Sequence, residues 1–386
     1  MCQLCDGSAE SNEHDSRPGV SRRSLLAGLG GLVALGGVAA CSEGGSQAGP
    51  STVPSNEGAT KAPLDARLAV VLLGTQAGPP IAPDRTGIST ALVVDGATYV
   101  VDCGRSSATQ YVRSSLRLEQ LEGIFLTHLH ADHIADFYNF FLCGGHIKNI
   151  VGDTIGERVQ VYGPGPAGGL PPKFGGGTAP VVDPASPTPG TRAMVDRLTE
   201  AYAYSDNVFM RDMTVRDIRT LMDVHEIAVP DVGASYQNTA PTMKPFRVYE
   251  DDRLQVSGIL VPHGPVYPSF AFRFDTDHGS VTFSGDTTET PNIPTIANGT
   301  DMLIHEAINV QGLNLSQADR DHMLQSHVEV QKVGAVAQAA QAKHLVLSHI
   351  SNLTSPVDSD QWRRFAQQGY DGEVTVGSDL QSFVLA

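Results

Sequence analysis

Six residues set most of what this chain can become. His128, His130, Asp132 and His133 crowd into His128-Leu-His-Ala-Asp-His133, in a chain with 13 histidines among 386 residues. They follow the apolar run Ile124-Phe125-Leu126, which reads as a buried strand. The polar cluster therefore sits where a strand gives way to a loop. His128 and His130 alternate with Leu129, so both can face one side of an extended backbone. Asp132 and His133, after a turn, can address a second centre nearby. Imidazole and carboxylate together suit zinc, with Mn2+ or Fe2+ as rivals. Without a metal, the stretch would be a solvated His-rich loop.

The first forty residues read as a leader rather than as part of the fold. Ser21-Arg-Arg-Ser-Leu-Leu26 carries twin arginines, and an apolar, Gly/Ala-rich run follows from Leu25 to Ala40. This is similar to a twin-arginine export signal, an address rather than an anchor. Val38-Ala-Ala-Cys41 resembles a bacterial lipobox, which implies cleavage before Cys41 and a lipid on its sulfur. A plain export signal with Ala-x-Ala-type cleavage is the alternative. A spanning helix is disfavoured, because the run falls short of ~20 residues. The expected location is the exported, periplasmic or extracellular face, with Cys41 holding the chain to the membrane surface. Residues 41–66, rich in Ser, Gly and Pro, read as a flexible tether.

The formal charge is −16. Such a surface repels polyanions at long range, and no Lys/Arg cluster follows residue 41. Nucleic acid is thus an unexpected partner, and a small anionic ester is the expected substrate. Beyond Cys41 only Cys103 and Cys143 remain. In an exported protein a pair and two free thiols are the two readings.

The folded part is expected over 67–386. Leu68–Leu73 reads as a first buried strand, Thr90–Asp95 and Tyr99–Asp102 as a hairpin about Gly96-Ala97, and Ser106–Leu118 as a helix. A helix over Ile134–Leu142 and a strand at Arg158–Tyr162 come next. Residues 164–245 read as an insertion over the site's edge: a Gly/Pro-rich arm first, then two helices within 193–225. Strand signals return at Leu254–Val261, Phe270–Phe274, Ser280–Phe283, Met302–Ile304 and Leu345–Leu347. Val328–Ala342 and Gln361–Gln368 read as helices. Two strand groups, each followed by helices, predict two packed mixed sheets with helices outside.

Several motifs stand in register along this pattern: Leu72-Leu-Gly-Thr75, Val101-Asp-Cys-Gly104, Thr127–His133, His263-Gly264, Phe283-Ser-Gly-Asp-Thr287, His305-Glu-Ala307, Ser326-His327 and Leu347-Ser-His349. Together they resemble the metallo-β-lactamase-fold hydrolases, in the branch of ribonuclease Z and the arylsulfatase-like phosphodiesterases. The resemblance implies an αββα sandwich with a dinuclear zinc site. It implies that His128, His130 and His263 hold one zinc, that Asp132, His133 and His349 hold the other, and that Asp286 bridges them. His263, Asp286 and His349 each follow an apolar run, as side chains gathered at one sheet edge should. Asp132 is expected to orient a metal-bound hydroxide as well as to ligate. His327 is the candidate proton donor, although His327-Val328 departs from the family's His-Ser/Thr pattern; His322 is the substitute. Glu306 is expected either to orient His327 or to be a satisfied buried carboxylate. His146, His225, His278 and His344 lack a partner motif. The resemblance also implies a homodimer, for which no apolar stripe in the sequence argues.

These features imply an exported dizinc hydrolase of a small phosphodiester or sulfate ester. A ribonuclease Z-type endoribonuclease and a β-lactamase or lactonase are the alternatives, and a lipoprotein with a purely structural metal is a fourth. Structural zinc sites are four-coordinate and closed, whereas seven ligands for two ions leave open positions.

Overall fold

Leu68-Ala-Val-Val-Leu-Leu-Gly74 has no polar side chain, so a strand made from it must be covered on both faces. In the computed structural model, which describes residues 62–145, 147–352 and 356–386, every residue of this strand is buried. The leader, Cys41, nearly all of the tether and His146 lie outside the described residues.

Among the described residues, fourteen strands follow in chain order. They are β1 (Leu68–Gly74), β2 (Ser89–Val94), β3 (Ala97–Val101), β4 (Leu121–Phe125), β5 (Val159–Pro164), β6 (Met222–Ile227) and β7 (Phe246–Glu250). The rest are β8 (Leu254–Leu260), β9 (Phe270–Thr276), β10 (Gly279–Phe283), β11 (Met302–Ile308), β12 (His344–Ser351), β13 (Glu373–Val376) and β14 (Ser382–Val384). One seven-stranded sheet runs β14-β1-β2-β3-β4-β5-β6 and the other β13-β12-β11-β10-β9-β8-β7. Each is mixed: β1 to β3 pair antiparallel and β3 to β6 parallel, and β7 to β10 antiparallel and β10 to β13 parallel.

The inner faces meet in a shared core. Leu68, Val70, Leu92, Tyr99 and Phe125 from the first sheet pack with Val256, Phe270, Phe272, Phe274 and Val346 from the second. Phe125 is its aromatic hub, with ring centroids 5.1 Å from Phe274 and 6.0 Å from Phe272. Helices cover the outer faces. α1 (Ser107–Arg113), α2 (Ala131–Ile134), α3 (Asn139–Leu142) and α4 (Thr191–Met213) belong to the first half, and α5 (Asn292–Ile296), α6 (Gln317–Ser326), α7 (Val330–Ala339) and α8 (Ser359–Ala366) to the second. This is the αββα sandwich of the metallo-β-lactamase fold.

Three details depart from the sequence reading, and the open question of the cysteines resolves. The β2–β3 turn falls on Asp95-Gly96, both with positive φ (46° and 83°), one residue earlier than expected; an Asp-Gly pair suits that geometry, whose twist matches a hairpin. The stretch 193–225 is not two helices. One helix ends where Thr214 turns left-handed (φ 53°), and Met222–Ile227 pairs parallel with β5 as an edge strand. The segment 164–245 therefore contributes a strand to the sheet and is not wholly an insertion. Ile134–Leu142 is not one helix either: α2 starts earlier, at Ala131, and α3 follows separately. Cys103 is buried, Cys143 exposed, and both are free thiols.

Candidate metal centre

The loop after β4 is held from beneath by Asp102, at the end of β3. Asp102 has φ 58°, a conformation that aspartate tolerates better than most residues. Its Oδ1 accepts the Thr127 N–H at 2.8 Å, and its Oδ2 accepts the Thr127 hydroxyl at 2.8 Å. The same Oδ2 lies 2.8 Å from His133 Nδ1. That bond fixes the ring so that Nε2 faces the centre, the usual arrangement behind a ligating histidine. Gly104 is required just beyond, since a Cβ there would lie 2.4 Å from the Asp132 carbonyl oxygen. The sequence motif around Val101–Gly104 was visible, but its role for Asp102 was not: a lone Asp after a strand has no local mark of the histidine 31 positions away.

Other elements bring the distant ligands. His263 follows β8, and its Nδ1 lies 2.8 Å from the Ser326 carbonyl oxygen. Asp286 follows β10. His349 does not end its strand as expected; it lies inside β12 with φ 51°, where the pairing with β11 slips. At the slip Ser348 and His349 stand opposite the single β11 residue Glu306, and this bulge re-aims the His349 side chain toward the centre.

Two groups of ligand atoms result, each with members within 4.8 Å of one another: His128, His130, His263 and Asp286, and Asp132, His133, Asp286 and His349. Asp286 belongs to both. Its Oδ2 is 3.8 Å from His128 Nε2, 3.6 Å from His263 Nε2 and 3.3 Å from His349 Nε2, while its Oδ1 is 3.4 Å from His133 Nε2. His349 Nε2 also lies 3.2 Å from Asp132 Oδ2. All seven side chains expected as ligands converge.

The chemistry of this donor set fits divalent cations. His128 Nε2, His133 Nε2, Asp132 Oδ1 and Asp286 Oδ1 are buried with no hydrogen-bonding partner, a costly state that coordination relieves. Burial, with His133 and other neighbouring rings, drives His128 well below the ordinary histidine range, and burial brings His263 down to about 3. Both rings are therefore neutral donors. Burial alone would raise Asp286, but His349, His133 and His128 hold its carboxyl well below the usual range. Burial would likewise lower His133, yet Asp286 and Asp102 raise it well above. Two buried carboxylates thus draw positive charge onto the site, the charge a cation supplies.

His327 stands at the rim, 14% exposed, with Nδ1 3.3 Å from Glu306 Oε2 and 4.0 Å from Asp286 Oδ2. Glu306 is itself clamped, its Oε1 accepting the Val328 N–H at 2.8 Å. Burial pulls His327 down, but Glu306 and then Asp286 outweigh it and raise the ring to about 9. His322 is turned elsewhere, its ring 4.9 Å from Phe174. His225, His278 and His344 pair with Gln160, Asp95 and Thr375, away from the centre.

Fold and site together define a metallo-β-lactamase-fold protein with a candidate dinuclear centre. The sequence model of the metallo-beta-lactamase superfamily matches residues 83–141. Among curated relatives, ribonuclease Z of Mycobacterium marinum is 28% identical over 81% of this chain and 96% of its own length. Ribonuclease Z of Mycolicibacterium gilvum is 29% identical over 81% and 94%. Of solved structures, the short form of human tRNase Z aligns with TM-score 0.56 at 21% identity, covering 82% of this chain and 99% of its own. The metallo-beta-lactamase fold protein YhfI from Bacillus subtilis aligns with TM-score 0.53 at 17% identity, covering 82% and 99%.

Proposed function

We propose that the chain is a metal-dependent hydrolase of small phosphodiesters, with sulfate esters as a second substrate class. The observation that carries this is Asp286, shared by two groups of neutral imidazoles and carboxylates. His128, His130 and His263 would hold one cation, Asp132, His133 and His349 the other, with Asp286 between; zinc is the first choice and Mn2+ or Fe2+ the rivals. Such ions, when bound, supply a hydroxide at neutral pH and polarise the ester. The chain's own residues do the rest. Asp132 orients the nucleophile. His327, kept protonated by Glu306, gives its proton to the departing alkoxide. Asp102 keeps His133 in the ligating tautomer.

A ribonuclease Z-type activity is the second reading, favoured by the relatives of that name that align almost end to end. Net charge −16 argues for the small ester, as does the Gly/Pro arm 163–190, where Lys173 is the lone base; tracking an RNA backbone takes several phosphate contacts. We also propose export on the twin-arginine signal and tethering through Cys41, which sets the chain apart from RNA precursors. Turnover of a bis-aryl phosphate, an aryl sulfate, a chromogenic β-lactam and a 3′-extended tRNA tests the proposal. The diester is expected to be hydrolysed, and His128→Ala to abolish it. Efficient cleavage of the tRNA with no turnover of the small esters would overturn it.

A further inference from the structure

A cavity of about 820 Å3 opens beside the centre, a size that suits a small ligand. His130, Asp132, Asp286 and His327 line it where it meets the ligand set, and apolar side chains line much of the rest: Pro79, Pro80, Ile81 and Pro83 from the loop after β1, and Met323 and Val357 from elsewhere. The proline-bearing loop is pinned at both ends. Gly78 donates its N–H to Asp132 Oδ2 at 2.9 Å, so the loop's start is fixed to the candidate metal ligand itself. At its far end Thr86 donates its N–H and its hydroxyl to Asp379 at 2.6 and 2.8 Å. Prolines at 79, 80 and 83 limit φ in between. The loop is a wall rather than a floppy cover, yet it leaves Ile81 75% exposed.

Charge sharpens the reading. Arg85 is the one Lys or Arg among the described residues lining the cavity. Its Nη1 is committed to Thr75 Oγ1 and the Gly377 carbonyl at 2.5 and 2.8 Å, and Asp379 and Asp84 face its charge. Away from His327 at the ligand set, a second phosphate placed here would meet only Arg85, already held by Thr75 and the Gly377 carbonyl, whereas a ring would meet an apolar surface.

We infer that this cavity binds a neutral, apolar substituent of the ester, so that the substrate class is a singly charged diester carrying an aromatic or bulky alkyl group, with Ile81, Pro80 and Val357 setting the preference. The inference rests on the phosphodiester reading above. Covering roughly 80–110 Å2 of a phenyl ring at ~25 cal/mol per Å2 corresponds to about 30- to 100-fold.

Two measurements test it on the full chain. The first compares kcat/KM for methyl, phenyl and naphthyl 4-nitrophenyl phosphodiesters, which share one leaving group. Phenyl over methyl should rise about 30- to 100-fold, and Ile81→Asp or Val357→Asp should cut that ratio at least about tenfold. The second is calorimetric titration with diphenyl phosphate and dimethyl phosphate, which needs no turnover. Diphenyl phosphate should bind at least about tenfold tighter, and each variant should erase the difference. Turnover with a flat series and equal binding of the two phosphates overturns this inference and leaves the hydrolase reading standing. No turnover together with the binding preference sinks the hydrolase reading while the cavity assignment stands.

Discussion

Asp102→Asn is nearly isosteric, so it changes chemistry and little else. Asparagine tolerates the φ of 58° at this position, and its amide oxygen can still accept the Thr127 N–H. Its NH2 group, however, replaces the oxygen that sits 2.8 Å from His133 Nδ1. Two donors cannot face each other, so Nδ1 must give up its proton and Nε2 must carry it. Nε2 is the atom 3.4 Å from Asp286 and 3.6 Å from Asp132. A lone pair is thereby removed from the group of Asp132, His133, Asp286 and His349. Losing such an outer partner lowers metal affinity about 10- to 100-fold, or ~1.4–2.7 kcal/mol. Competition against a chromophoric zinc chelator measures it, with circular dichroism melts confirming the fold. The weaker equivalent should be the one affected. Two equivalents bound as tightly as in the wild type would refute the idea that Asp102 sets the tautomer of a ligand.

Further expectations concern the rim, the core and the leader. With Glu306 and Asp286 holding His327 near 9, turnover of poor leaving groups needs the protonated ring and falls as pH rises through that value. Glu306→Gln removes the largest raising influence, so the alkaline limb of kcat/KM should move to lower pH; an unmoved limb would exclude His327 as the donor. His327→Ala should retain both metals yet lose about 10²–10⁴-fold on alkyl leaving groups, with metal content and rates as the readouts. Tyr99 is buried and donates its hydroxyl to Asp251, so Tyr99→Phe should cost about 1.5–3 kcal/mol in urea unfolding, the worth of a hydrogen bond to a charged group. Cys41→Ala should free the protein from membrane fractions; unchanged membrane association would contradict the lipid tether.

Much of this architecture is legible in one dimension because each ligand is flagged twice. His128, His263 and Asp286 are polar residues that follow apolar runs, and buried parallel or mixed strands leave such runs with little ambiguity. The parts that resist reading are those where pairing overrides local pattern. Val215, Ile218, Leu221 and Met222 have helical spacing, yet Leu221 and Met222 are buried against the sheet, and the ladder with β5 claims Met222 as strand. His349 looks like a strand end because its apolar run stops at Leu347, but β12 continues past it through a bulge, two β12 residues opposite one of β11, that exists only once the two strands pair. Asp102 stands in a visible motif, but nothing local marks its role, since its partners Thr127 and His133 are brought to it only by folding. Glu306 beside His327 is one of two readings the sequence leaves open, whereas its hold on the Val328 N–H belongs to tertiary structure.

The central claim is that Asp286 joins two cation-binding groups, and metal stoichiometry tests it most directly. Protein purified and loaded with zinc, then dialysed and measured by plasma mass spectrometry, should retain two equivalents per chain, and Asp286→Ala should lose affinity for both. Retention of only trace metal by the folded wild-type protein would contradict the account.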